Sequence, residues 1–296
     1  MVPDLVSVNQ LSTHRWSLFQ DLVKISGAGF NSIGLCNNKL EEFGLVETAD
    51  LLFEMQMNVT SLSWMTGFTG STGVSHTDSI DEAIQAIRSA SLLGAHTLAI
   101  CVGGRNGHAD GHLQRLVHQA LDELVPLAED LDVRLAVEPV CGPEFKRFNF
   151  AGEMASTLKL IRDYPLEHVG VVADLFFLGG DMAAARDISR YLDRIALVQL
   201  CDVSHGAHGK RLRCLPGAGQ LPLAAWINML SHYNYHGPVE MELHGPEFDF
   251  VSHEDMLVAS REFVARHFSP VVFEEVKGSD PIQGSPKTGA RKKTSL

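Results

Sequence analysis

Four polar side chains stand near the ends of four short apolar runs in the second half of the chain. They are Glu138 in LAVEPV, Asp174 in VGVVADLFF, Gln199 in ALVQLCDV and Glu242 in PVEMELHG. Each run reads as a fully buried strand, so each polar group sits where a strand emerges from a core. Three carboxylates converging in one cleft repel one another unless something positive neutralises them. An oxygen-rich set of this composition suits Mn2+, Mg2+ or Co2+ better than it suits the softer metals that thiolates select.

Other groups fall around these four. Glu240 and His244 share a face with Glu242, because side chains alternate along a strand. Glu240 then lies one layer deeper and needs a partner that the sequence does not identify. His244, nearer the mouth, is a candidate substrate contact. The segment CDVSHGAHGKRLRCLPGAGQLP is long and basic, with Gly217 and Gly219 around a turn set by Pro216. It offers His205, His208, Lys210, Arg211 and Arg213, of which Arg213 is the one read as functional, holding a substrate carboxylate or steadying an oxyanion. Arg105 and His108 in GGRNGH, and Asn9 and Trp64 at the ends of earlier runs, are further candidate contacts to a polar ligand. For each there is a plainer alternative: Asp174 as a helix cap, Trp64 as packing, Lys210 and Arg211 as solvated charges.

Positioning such groups takes a regular scaffold. Eight strand candidates (5–11, 32–37, 59–64, 97–104, 134–140, 169–176, 195–203 and 238–245) alternate with segments of helical spacing. The clearest helices are 78–94, 112–131, 223–235 and 253–268. Thr77-Asp78 marks the start of the first and Gly94 its end, and Pro222 is placed just inside the start of the third. Eight βα units need about 250 residues, so the expected fold is an α/β (β/α)8 barrel over 1–270, a single domain, rather than a doubly wound sheet. Residues 271–296, rich in Gly, Ser, Pro and Lys from about Lys277, are expected to form a disordered tail.

Composition narrows the partners. With 296 residues, 45% hydrophobic and 20% charged, the chain reads as an ordinary globular protein. A net charge of -12 argues against nucleic acid or an anionic membrane. No run approaches the roughly 20 apolar residues of a membrane span, and no signal-peptide pattern opens the chain. Five cysteines without CxxC spacing read as reduced thiols of a cytoplasmic protein.

Taken together, AVEP, VVADLFF, Gln199-Leu-Cys-Asp202, Arg213-Cys-Leu-Pro216-Gly217-Ala-Gly219 and GPVEMEL resemble the xylose-isomerase-like barrel superfamily of sugar isomerases and epimerases. The resemblance covers the layout of residues 5–268 and is most specific in the second half. It implies a divalent metal held by Glu138, Asp174, Gln199 and Glu242, with Glu138 and Glu242 moving a proton through an enediolate and Arg213 contacting substrate. The implied substrate is a small sugar or keto-polyol, and the implied assembly a homo-oligomer. One departure stands out: many members carry His three residues after the strand-six Asp, and here that position is Phe177. Three readings follow: isomerase or epimerase, dehydratase of a cyclic keto-polyol such as 3-dehydroshikimate or inosose, and a barrel subunit without catalysis.

Overall fold

A computed structural model of the chain describes residues 2–179 and 188–268; the expected tail at 271–296 lies outside them. Chain order gives strands β1 (Val6–Asn9), β2 (Ser32–Cys36), β3 (Asn58–Thr66), β4 (Thr97–Cys101), β5 (Arg134–Val137), β6 (Val169–Asp174) and β7 (Ile195–Leu200). After these come β8 (Asp202–His205), β9 (Arg211–Cys214) and β10 (Val239–Met241). Eight of them close a parallel barrel in the order β1-β10-β7-β6-β5-β4-β3-β2. The expected closed barrel is therefore the observed one, and its eighth strand is β10.

The apolar runs become strands because they are covered on both faces: every residue of β2, β4, β6 and β7 is buried. The main core lies between the sheet and the surrounding helices. A smaller cluster of Ala99, Ala136, Val172, Ala196 and Leu197, with Trp64 against it, packs separately. The helices dock by apolar stripes, as Leu223, Trp226, Ile227 and Leu230 do in the helix Leu223–His232.

Helix borders differ from expectation by a turn or less. The helix His76–Leu92 begins before Thr77-Asp78 because Ser75 is its cap, its hydroxyl accepting from the Asp78 amide at 3.1 Å. Pro222 stands just outside its helix as the capping residue. The closing helix His253–His267 is capped by Ser252 and carries Glu254 and Asp255 in its first turn and Arg266 and His267 in its last, matching its dipole.

One element was not expected. The long segment after the seventh run contains an antiparallel hairpin, in which β8 pairs with β9 from Asp202↔Cys214 to His205↔Arg211. It stands outside the barrel and carries Arg213.

Candidate active site at the barrel mouth

The strand register builds the site. Ser7, Glu240, Gln199 and Asp174 are consecutive partners across β1, β10, β7 and β6, so they form one row around the barrel. Glu242 lies two residues beyond Glu240, one layer nearer the mouth. Glu138 follows β5 directly, its amide donating to the Ile100 carbonyl at 2.9 Å.

Asp174 takes two roles at once. Oδ1 accepts from the Phe176 amide at 2.7 Å, capping the short helix Leu175–Leu178. Oδ2 accepts from Arg213 Nη2 at 2.6 Å in a fully buried ion pair. The Arg213 guanidinium stacks on Phe176 at 4.2 Å from the ring centroid, and its backbone amide donates to Glu247 Oε1 at 2.7 Å. Arg213 thus reaches the site, and its partner there is Asp174.

Glu138 Oε2 accepts from the Trp64 indole N–H at 3.0 Å. Burial, then the nearby Asp174 charge, push the Glu138 carboxyl up to about 7, against the opposing pull of Trp64 and Arg213. Burial raises Asp174 in spite of Arg213. Glu242 is raised well above the ordinary carboxylate range by burial and then by the Asp174 charge. Burial opposes the Arg213 charge, but Asp174 and then Glu242 hold it firmly protonated. His244 Nε2 lies 3.5 Å from Glu242 Oε1. A quarter of its side chain still meets solvent, yet its enclosed position and then Arg213 push it down to about 3, so it is neutral at physiological pH.

Three expected contacts go elsewhere. Arg105 is exposed and pairs with Asp110 at the start of the helix Asp110–Asp130; a partner five residues away outcompetes the distant mouth. His108 stacks on His112 on that surface. Asn9 is buried, its amide nitrogen donating to Glu240 Oε2 at 2.8 Å and its oxygen accepting from the Leu11 amide at 3.0 Å. Asn9 is therefore committed below the mouth rather than to a ligand, and it supplies part of the partner set that Glu240 requires.

Asp202 organises the approach to the site. Its carboxylate accepts from the amides of Val203, Gly217, Gly219 and Leu221 at 2.7–3.1 Å. A Cβ on Gly219 would stand 2.3 Å from Asp202 Oδ1, so the turn closes this tightly only with glycine there. Its signal in the sequence is the three-residue spacing from Gln199 together with the PGAG turn, read above only as a motif.

The donor chemistry fits a hard divalent ion. Glu242 Oε2 and both polar atoms of Gln199 are buried without a hydrogen-bond partner, and Arg213 pairs with Asp174 while the Glu242 and Glu138 charges also favour its protonated form. Among the described residues no group of three or more His, Cys, Asp or Glu side chains stands in a geometry that could hold a metal ion. The site is also well covered: Glu138, Asp174, Gln199, Glu242 and Arg213 are each 6% exposed or less. Aromatic rings flank it, Phe177 packing edge-on against Phe145 and Phe176, and Trp64 lying beside Phe148.

The model of the xylose isomerase-like TIM barrel matches residues 22–267. The chain belongs to that family. The xylose isomerase-like resemblance drawn from the strand-end motifs is thus the family found. Among solved structures, the protein SMc04130 from Sinorhizobium meliloti 1021 aligns with a TM-score of 0.77 at 20% identity, over 88% of this chain and 98% of that one. The IOLI protein with a binding zinc atom aligns at 0.75 and 19% identity, over 91% and 100%. D-allulose 3-epimerase from Methylomonas sp., in complex with D-allulose, aligns at 0.71 and 17% identity, over 90% and 99%. At these identities the likeness is one of fold. No curated protein sequence matches the chain.

Proposed function

We propose that the protein is a divalent-metal-dependent isomerase or epimerase of a sugar or related hydroxy-ketone. The observation that carries this reading is the charge at the mouth: Glu138, Asp174 and Glu242 are buried near enough to raise one another, and Arg213 pairs with Asp174. Glu138, Asp174, Gln199 and Glu242 would hold the metal, for which Mn2+, Mg2+ and Co2+ suit the oxygen donors. When bound, the ion supplies Lewis acidity to adjacent carbonyl and hydroxyl oxygens and so acidifies the carbon between them. Relatives of the same fold give context: one binds zinc and another binds D-allulose.

Glu138 and Glu242 are the proposed acid–base pair. Their strands, β5 and β10, are separated by β6 and β7 in the barrel order, so the two carboxylates approach the mouth from different sides. One removes a proton and the other returns it through an enediolate. A carboxyl that titrates at about 7 is poised for both tasks near neutral pH. Arg213 supplies fixed positive charge for the developing oxyanion, and Trp64 and His244 line the approach.

The aromatic flank favours a second reading. Phe145, Phe176 and Phe177 give one side of the mouth an apolar wall, suited to the face of a ring. On a cyclic keto-polyol the same proton abstraction, followed by expulsion of a β-hydroxyl, makes the protein a dehydratase.

The test is a metal-reconstituted screen of ketoses, inososes and 3-dehydroshikimate in deuterated water, read by NMR. Deuterium incorporation without loss of water supports the isomerase, and a new ultraviolet-absorbing enone supports the dehydratase. A purified protein that takes up no Mn2+, Co2+ or Mg2+ and exchanges no substrate proton would falsify both and leave a non-catalytic barrel.

A further inference from the structure

Below the candidate site lies a fourth carboxylate that the proposed chemistry does not use. Glu240 is fully buried. Its Oε1 accepts from the Thr60 hydroxyl at 2.6 Å and the Ser61 hydroxyl at 2.7 Å. Its Oε2 accepts from the Asn9 amide nitrogen at 2.8 Å. Asn9 cannot turn over, because its oxygen is held by the Leu11 amide, and Thr60 is seated in turn by Ser7 at 2.8 Å. Gly34 leaves the space: a Cβ there would stand 2.5 Å from Glu240 Oε1. Together these contacts fix a carboxylate in place beside Gln199, one layer below Glu242.

Gln199 is the register partner of Glu240 across β7 and β10. Their side chains therefore lie on the same face of the sheet, and neither polar atom of Gln199 makes a hydrogen bond. A carboxylate only accepts hydrogen bonds, whereas an amide can present either its NH2 or its oxygen. Next to Glu240 only the NH2 is favourable, and an amide that turns its NH2 downward turns its oxygen away, towards the layer of Glu242. Hard cations take amide oxygen and not amide nitrogen.

We propose that Glu240 is a positioning residue for Gln199, holding the amide NH2 and so directing its oxygen into the site as an acceptor for a hard cation. The cation in this statement rests on the reading given under Proposed function; the orientation of the amide does not.

Two measurements separate them. In metal-free protein labelled with 15N-glutamine, the Gln199 NH2 signal is identified by its loss in Gln199→Ala. It is expected to carry a downfield proton bonded to carboxylate, and Glu240→Gln is expected to abolish that shift. By calorimetry with Mn2+, E240Q is expected to weaken binding by roughly 10–100-fold, as outer-shell partners do. In the Q199A background the same change is expected to cost less than about 3-fold, since the two residues act as one unit. An unmoved amide signal in E240Q overturns the proposal whatever the metal result, and so does an equal loss of Mn2+ affinity in both backgrounds, which would make Glu240 a distant charge only. A moving amide signal in a protein that takes up no Mn2+ upholds the positioning role and defeats the metal reading. Should E240Q fail to fold, Glu240→Asp keeps the charge but withdraws the carboxylate. It is expected to lose both the shift and the affinity, and unchanged values for it overturn the proposal.

Discussion

Glu138 is held between burial, which favours its neutral form, and the Trp64 N–H and Arg213, which favour its charge. A group balanced in that way is useful for proton transfer and costly for stability, so the two properties should part on mutation. Glu138→Gln keeps an oxygen for Trp64 and nearly the same volume, but cannot take up a proton. Substrate-proton exchange is expected to fall by at least roughly 100-fold, while the melting temperature of the metal-free protein at pH 8 stays level or rises. A melting temperature that drops along with activity would mean that Glu138 serves chiefly as packing. Residues of this kind were legible in the sequence because each ends an apolar run; Arg105 misled because its nearest partner, Asp110, belongs to the next helix and leaves no mark in the strand pattern.

Among the elements, the β8–β9 hairpin has the most bearing on the site. It presents Arg213 to Asp174, and Asp202 ties its base to the PGAG turn through the amides of Gly217 and Gly219 and to the chain beyond through that of Leu221. Asp202→Ala removes the acceptor of those donors, at about 1–3 kcal/mol for each one that stays buried and finds no water. The expected outcome is a clear loss in thermal stability together with weaker catalysis, as Arg213 loses its seat; wild-type melting and activity in D202A would contradict this. The barrel strands were legible because burial on both faces leaves an unbroken apolar run. The hairpin was not, because its strands are four residues each and only partly buried, so they show neither a run nor a clean alternation. Glycine, histidine and lysine in that stretch read as loop for the same reason. The partners of Glu240 were equally hidden: Asn9, Thr60 and Ser61 reach it only once the barrel closes β1 onto β10, a contact between opposite ends of the chain.

For the molecule as a whole, buried carboxylates couple stability to pH and to cations. The unfolded chain releases the Glu138 proton near the ordinary carboxylate value, whereas the native state keeps it up to about 7. Between those values the native state binds more protons, so stability is lost as pH rises. Asp174 and Glu242 shift in the same direction. His244 and His253, lowered to about 3 and about 4, act oppositely, but only below about 6.5, the unperturbed histidine value. The metal-free melting temperature is therefore expected to fall between pH 6.5 and 8. Mn2+ competes with protons for the carboxylates, so it should raise the midpoint more at pH 8 than at pH 6.5. Scanning fluorimetry with and without chelator checks both slopes, and a Mn2+ effect independent of pH would place the ion elsewhere.

Of the three tryptophans in the chain, Trp226 donates to the Gly179 carbonyl and Trp16 lies against Lys24 and His253, while Trp64 alone donates to a carboxylate of the mouth. The excited indole is sensitive to the electric field of its neighbours. The same hydrogen bond that steadies Glu138 therefore makes Trp64 a built-in optical gauge, its emission following the charge carried by one carboxylate of the site.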